Sequence, residues 1–161
     1  MRQTLLTINH VWWLAGATFY VGVLTTLRLF LYPTWTKLRP ETAHDHFTIS
    51  VQAATRFFLL AIPTWMVTAI VLIVTEWGDP LQWAAIIAFV GLLTTTFVGW
   101  FGIQPINRRI AAGVTDEHQL SALLKKWMRI NDLRWASVIV MWGALCWYFV
   151  AKADLPAALK G

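Results

Sequence analysis

The sequence contains four long windows without any Asp, Glu, Lys or Arg residue, and this feature limits the fold more than any other. They cover residues 3–27, 57–75, 80–107 and 135–151, together 89 of the 161 residues. A helix needs about 20 mostly apolar residues to cross the hydrocarbon core of a membrane, because backbone polar groups in lipid must pair within the segment. The windows therefore predict one all-α integral membrane domain with four transmembrane helices.

The composition excludes the other common classes of small protein. Charged residues make up 13% of the chain, whereas a soluble domain has about 25%. A single cysteine excludes a disulfide scaffold, and a hydrophobic content of 58% excludes a disordered chain. Within the domain, residues 1–161, the predicted spans cover about 8–32, 55–76, 81–104 and 134–152.

Two of the predicted helices begin outside the membrane. Thr42 and Asp45 have the spacing of a capping box, and no helix-breaking residue follows before Pro63, where a kink within the membrane is expected. Residues 113–117 have the composition of a helix start and lead into the fourth span. The expected fold is an antiparallel four-transmembrane-helix bundle with helices 2 and 4 extended into the cytosol.

Positive charge is concentrated on one side of this topology. The side that carries both termini has three cations, Arg2, Lys152 and Lys160. Ten cations lie on or next to the loops of the other side: Arg28, Lys37, Arg39, Arg56, Arg108, Arg109, Lys125, Lys126, Arg129 and Arg134. The positive-inside rule therefore predicts a multi-pass protein of the cell inner membrane with both termini on the outer, periplasmic side. Topology and anionic lipid account for the net charge of +5, so no nucleic-acid partner is predicted.

Polar residues converge near the cytosolic end of all four predicted helices. Such residues are costly at membrane depth and are functional candidates for that reason. Asn131 and Arg134 are candidates for catalysis. The candidates for substrate binding are Arg28, Gln52, Arg56, Gln104, Asn107 and Trp127. The alternative is structural, since arginines near a membrane boundary commonly anchor helices to phosphates and amides hold helices together.

The histidines predict no metal site. His44 and His46 flank Asp45, and residues two apart on a helix point in different directions. The sequence has no Cys pair and no H-x-x-x-H motif. Because imidazole exchanges a proton near neutral pH, either histidine could serve as the proton acceptor in catalysis, and the alternative is a solvated histidine at a helix start. His10 is about 27 Å along the helix from Arg28, too far to share a small ligand.

Several motifs together resemble the anthrone-oxygenase-like family of small four-helix membrane proteins, most members of which have no assigned function. The motifs are Leu31-Tyr32-Pro33, Pro63, Pro105-Ile106-Asn107-Arg108 and Trp127-x-x-x-Asn131-x-x-Arg134. The resemblance covers nearly the whole chain and implies a four-helix bundle. The shared positions that it implies are Asn107, Trp127, Asn131 and Arg134. In the fungal members the implied reaction is oxygenation of an aromatic polyketide anthrone to an anthraquinone.

The first helix alone also resembles the membrane protoporphyrinogen oxidase of bacteria. The resemblance depends on His10, Trp13, Ala15-Gly16, Tyr20 and Arg28-Leu29-Phe30. It implies His10 as the cofactor-binding residue if haem is bound. The further histidine of that family on a later span is absent from this sequence.

Two hypotheses of function follow. The first is an oxygenase or redox enzyme that takes an apolar aromatic or quinone-like substrate from the membrane and needs no metal, because a phenolate or enolate can react directly with O2. The second is a non-catalytic membrane subunit, or a bundle that binds lipid, pigment or haem. No cofactor is predicted. The expected partners are membrane lipid and an apolar small molecule, and a homo-oligomer or a larger membrane complex is compatible with the sequence.

Overall fold

The protein forms a bundle of four long helices, described in a computed structural model over residues 2–153, with side chains from residue 4 onward. Helix α1 comprises the α-helical segments Arg2–Thr26 and Tyr32–Trp35, joined by a π-helical turn at Leu27–Leu31. Helix α2 comprises Pro40–Ala43 and Ile49–Thr75, joined by a π-helical turn at His44–Thr48, and α3 comprises Gln82–Phe97 and Gln104–Ala111, joined by a π-helical turn at Val98–Ile103. Helix α4 is a continuous α-helix, Glu117–Lys152. The described part of the chain contains no strand, which confirms the predicted all-α four-helix fold.

All four helices are long and apolar enough to cross a membrane, which is consistent with the predicted multi-pass protein. With 36 residues, α4 is about 54 Å long, more than the hydrocarbon thickness of about 30 Å. We call the end with the 36–39 and 112–116 connections the basic end, and the end with the 76–81 turn, the start of α1 and the end of α4 the terminal end. Lys160, one of the cations predicted for the terminal end, lies outside the described residues.

Prolines explain two of the three π-helical turns. Pro33 and Pro105 each follow such a turn within two residues. A proline has no N–H group for the carbonyl four residues earlier, and its ring crowds that carbonyl. A wider turn upstream relieves this conflict, and such turns are frequent at functional sites. Pro63, in contrast, lies within the regular α-helical part of α2.

The helix starts differ in how well the sequence predicted them. Helix α2 begins at Pro40, two residues before the predicted capping-box residue Thr42. The predicted Thr42–Asp45 box is wrong: the Thr42 Oγ1 atom accepts the backbone N–H of Arg39 at 3.2 Å, so Thr42 belongs to the first turn. For α4, the Asp116 carboxylate accepts the backbone N–H groups of His118 and Gln119 at 3.1 and 3.2 Å, as the predicted helix start requires.

Small residues allow α3 and α4 to pack closely. The face of α3 toward α4 contains Ala84, Ala85, Ala88 and Gly91, all of them buried. A Cβ atom at Gly91 would lie 2.9 Å from the Cβ atom of Met141. Close backbone approach through small side chains is a common means of association between membrane helices.

At the terminal end, one buried carboxylate links the turn after α2 to α4. Glu76 is only 6% exposed. It accepts hydrogen bonds from the Tyr148 hydroxyl and the Lys152 ammonium, each at 2.7 Å. Because its two partners come from the last turns of α4, this cluster fixes that helix to the turn after α2.

Candidate functional site

A cavity of about 330 Å³ is lined by residues of all four helices, most of them from α2 and α3, and we call it the apolar cavity. Most of its wall is aliphatic or aromatic. Its aromatic lining residues are Tyr20, Trp35, Phe58, Trp100 and Trp127. Binding sites for small molecules commonly have about 300–1,000 Å³ and a few polar groups in an apolar wall, so this cavity has the size and character of such a site.

Residues of the three π-helical turns line this cavity or a second cavity next to it. Leu27 of α1 and the α3 residues Gly99, Trp100 and Ile103 belong to such turns and line the apolar cavity. The turn in α2 contributes Thr48 to a neighbouring cavity described below. Each turn therefore displaces side chains from regular helical positions beside the cavities.

Arg134 places a positive charge in the wall of the apolar cavity. Its Nη2 donates to the Tyr20 hydroxyl at 2.7 Å, and its Nη1 donates to Oδ1 of Asn131 at 3.0 Å. The Nε atom is buried and has no hydrogen-bond partner among the described residues. Among residues 2–153 no carboxylate forms an ion pair with Arg134. This cation is therefore held in place by neutral groups only.

A chain of hydrogen bonds fixes the orientation of Arg134. Asn131 is fully buried, and its Nδ2 donates to the Tyr32 hydroxyl at 3.0 Å. That hydroxyl donates in turn to the Met128 carbonyl at 3.2 Å. On α3, a Cβ atom at Gly99 would lie 3.3 Å from Nε of Arg134, so the absence of a side chain there leaves room beside the guanidinium.

Further polar groups lie along the wall of the apolar cavity. The Trp127 indole N–H donates to Oδ1 of Asn107 at 2.8 Å. Nε2 of Gln104 donates to the Thr55 hydroxyl at 3.3 Å, which joins α3 to α2. The Thr95 hydroxyl is buried and has no partner within the described chain. A ligand in this cavity would thus meet one cation and several neutral hydrogen-bonding groups.

A second cavity of about 270 Å³ adjoins the first, and we call it the polar cavity. The two share the lining residues Val51, Thr55, Gln104 and Asn107. The remaining residues that line the polar cavity are Phe47, Thr48, Gln52, Arg56, Arg108 and Ala111. The neighbouring cavities thus differ in chemistry, one largely apolar with a single cation and the other lined by two cations.

The structure brings most of the predicted site residues to these two cavities. Arg134, Trp127, Asn107 and Gln104 line the apolar cavity, and the last two also line the polar cavity. Gln52 and Arg56 line the polar cavity. Asn131 lines neither and lies behind Arg134, as the hydrogen bond between them shows.

Four predicted residues lie elsewhere. Arg28 forms an ion pair with Asp132, with 3.6 Å between Nε and Oδ1, and its guanidinium packs 4.4 Å from the Trp135 ring centroid. His44 and His46 are exposed and line neither cavity.

His10 lies toward the terminal end, with its ring 5.7 Å from that of Tyr148 in an edge-to-face arrangement. It lines neither of the two cavities. No group of three or more His, Cys, Asp or Glu side chains within residues 2–153 could hold a metal ion.

The sequence did not predict Tyr20, Gly99 or Thr95 as site residues. Tyr20 had a usable signal: it lies in the middle of a charge-free window, whereas tyrosines of membrane proteins concentrate at the two interfaces. Gly99 had none, because its importance comes from a side chain of another helix.

Comparisons with protein-family models, with curated proteins and with solved structures find no match to this chain.

Proposed function

We propose that this chain is an integral membrane enzyme of the oxygenase or redox class that binds a flat apolar aromatic or quinone-like molecule as its oxyanion in the apolar cavity. The observation that carries the proposal is Arg134, a guanidinium without an ionic partner among the described residues, in a largely apolar cavity wall. The basic end would face the cytosol, in keeping with ten predicted cations against three.

The charge of Arg134 supports an anionic ligand. A cation removed from water is costly unless an opposite charge or several hydrogen bonds compensate it. Tyr20 and Asn131 supply two hydrogen bonds but no charge, and the buried Nε–H group is still unused. A phenolate or enolate oxygen would supply both the missing charge and an acceptor, and charge-assisted hydrogen bonds of this kind are the strong ones.

The walls support a flat apolar body. Aromatic rings from all four helices line the cavity, and aromatic side chains stack favourably with aromatic ligands. Most of the lining residues belong to α2 and α3 and lie within or next to the predicted spans, so the ligand would be a molecule dissolved in the membrane. Trp127 and Asn107 would orient further oxygen atoms of the ligand.

The reaction would begin from the ligand anion. An electron-rich phenolate or enolate can reduce O2 directly, and Arg134 would favour this anion by stabilising the charge on its oxygen. The described lining of both cavities contains no Asp, Glu or His residue. The ligand would therefore bind as a preformed anion or lose its proton to water, and the exposed His44 and His46 have no part in this scheme.

A second candidate function is a non-catalytic bundle that binds an anionic lipid or pigment. The observation that favours it is the same lack of an acid–base residue in the described cavity walls, because binding needs none. Both candidates require the anion at Arg134, and only the first requires consumption of O2.

The experiment is a binding titration with 2-hydroxy-1,4-naphthoquinone, which is an anion at neutral pH, against the purified protein in non-ionic detergent. We expect binding to wild type and a loss of at least tenfold in affinity in R134Q, with partial recovery in R134K. R129Q is the matched control, since Arg129 is exposed on the same helix and lines neither cavity. Equal affinity in R134Q and wild type would refute the proposed site.

Oxygen uptake distinguishes the two candidates. An enzyme would consume O2 in molar excess over protein when an autoxidisable naphthol is supplied, and R134Q would not. A binding bundle would retain the naphthol without O2 uptake above the detergent blank. Absorption spectroscopy and mass spectrometry of the purified protein would identify any molecule that it carries from the membrane.

A further inference from the structure

The polar cavity has the chemistry of an anion site that the proposed function does not use. Arg56 of α2 and Arg108 of α3 both line it, and both residues are exposed. Within the described chain neither arginine forms an ion pair, and no carboxylate lines the cavity. Two like charges that line one small cavity without compensation favour occupation by an anion.

Thr48 provides an independent observation. Its side chain is only 3% exposed, and its Oγ1 atom is buried without a hydrogen-bond partner in the described residues. Other threonines in these helices donate to the carbonyl four residues earlier, as Thr18 and Thr96 do at 2.8 and 2.7 Å. An unpaired buried hydroxyl costs free energy, and a ligand oxygen in the polar cavity would satisfy it.

Thr48 is the last residue of the π-helical turn at His44–Thr48. In a regular helix its hydroxyl would reach the His44 carbonyl, one turn earlier. In the π-helical turn that carbonyl accepts the backbone N–H of Ile49. The widened turn therefore changes the local hydrogen-bond pattern and places Thr48 in the cavity wall.

We propose that the polar cavity binds a phosphate group through Arg56, Arg108, Gln52 and Thr48. Guanidinium groups match the oxygens of phosphate with paired N–H donors, and the amide and hydroxyl supply further donors. The cavity lies at the basic end, close to the level that the lipid headgroups of the predicted membrane would occupy. The phosphate would come from a phospholipid headgroup or from free phosphate. This binding site does not depend on the proposed function, because Arg134 is not among its lining residues.

The experiment uses the full-length protein, stripped of lipid in a non-ionic detergent at low salt, and isothermal titration calorimetry. The probes are inorganic phosphate, dihexanoyl phosphatidylglycerol and, as the neutral control, dihexanoylglycerol. We expect phosphatidylglycerol to bind wild type and to bind R56Q/R108Q at least tenfold more weakly. T48V, which keeps the shape and removes the hydroxyl, is expected to weaken binding severalfold.

The matched control is K125Q/K126Q, which removes the same charge from two exposed residues of the basic end that line neither cavity. It should bind phosphatidylglycerol as wild type does, and so should R134Q, which separates this proposal from the function proposed above. Inorganic phosphate binding as tightly as the lipid would identify free phosphate as sufficient, and weaker binding would identify the lipid headgroup.

Three results would overturn the proposal: no binding of either phosphate probe, equal binding of the neutral diacylglycerol, or equal loss in the K125Q/K126Q control. Circular dichroism and gel filtration of R56Q/R108Q will show whether the variant is folded, and R56K/R108K, which keeps both charges, should retain at least part of the affinity.

Discussion

Replacing Asn131 by aspartate would place a carboxylate next to Arg134, where wild type has the neutral amide of Asn131. The two side chains have nearly the same shape, and Oδ1 of Asn131 is 3.0 Å from Nη1 of Arg134. At that distance and an effective dielectric constant of about 20, two opposite unit charges attract each other by about 5–6 kcal/mol. Desolvation of the new carboxylate offsets much of this, because position 131 is fully buried.

The loss of ligand-binding free energy that we expect from N131D is smaller than this attraction. A hydrogen bond to a charged group contributes about 1.5–3 kcal/mol net. If an oxyanion binds because Arg134 lacks a counter-charge, N131D should weaken the affinity for 2-hydroxy-1,4-naphthoquinone by about tenfold to 150-fold. The measurement is the same binding titration, performed at pH 8 to keep the new carboxylate ionised.

Thermal stability separates this effect from simple damage. N131L keeps the branching of the side chain at Cγ but removes the partner of both Arg134 and the Tyr32 hydroxyl. It should lower the unfolding midpoint and weaken ligand binding, whereas N131D should weaken binding with the midpoint equal to wild type or higher. A folded N131D protein that binds the anion as tightly as wild type would refute the idea that an uncompensated charge on Arg134 selects the ligand.

Two Gly→Ala substitutions test close contacts between helices, and each is compared with a control substitution at a glycine that has open space around it. G99A would place a methyl group 3.3 Å from Nε of Arg134 and should weaken binding of the naphthoquinone severalfold, while G22A should leave binding unchanged. G91A would crowd the α3–α4 contact and should lower the free energy of unfolding by about 1–3 kcal/mol, whereas G143A should not lower it. The measurement is denaturant unfolding in detergent. Equal effects of the two substitutions within either pair would contradict the described packing.

The number of helices and their approximate positions could be predicted because they depend on one strong physical constraint. A charge is so costly in hydrocarbon that its absence over 17 or more residues marks each span. The helix bounds outside these windows depended on other signals: the residues at 113–117 predicted the start of α4 at Glu117, whereas nothing marked the continuation of α1 to Trp35. Hydropathy carries no information about helix that extends into water.

The candidate site was predictable in composition but not in arrangement. The sequence indicated that Gln52, Arg56 and Arg134 lie toward one end of the bundle. It did not indicate that Arg56 and Arg134 belong to different cavities, because that separation depends on how the four helices pack against each other. Pro105 gave a local signal for one such turn, and the turn at His44–Thr48 has no proline to mark it.

The arginines show why a count of charges cannot identify a site. Arg28 and Arg134 both lie near Asp132, yet only Arg28 forms an ion pair with it. On α4, Asp132 and Arg134 are two residues apart, so their side chains point in different directions. Asn131, three residues before Arg134, shares its face and reaches it with a neutral amide. Exchanging the two residues, as N131D/D132N, would leave the net charge unchanged and move the carboxylate from Arg28 to Arg134. If the ligand is an anion selected by an unpaired Arg134, this charge-neutral exchange should weaken its binding as strongly as N131D alone does.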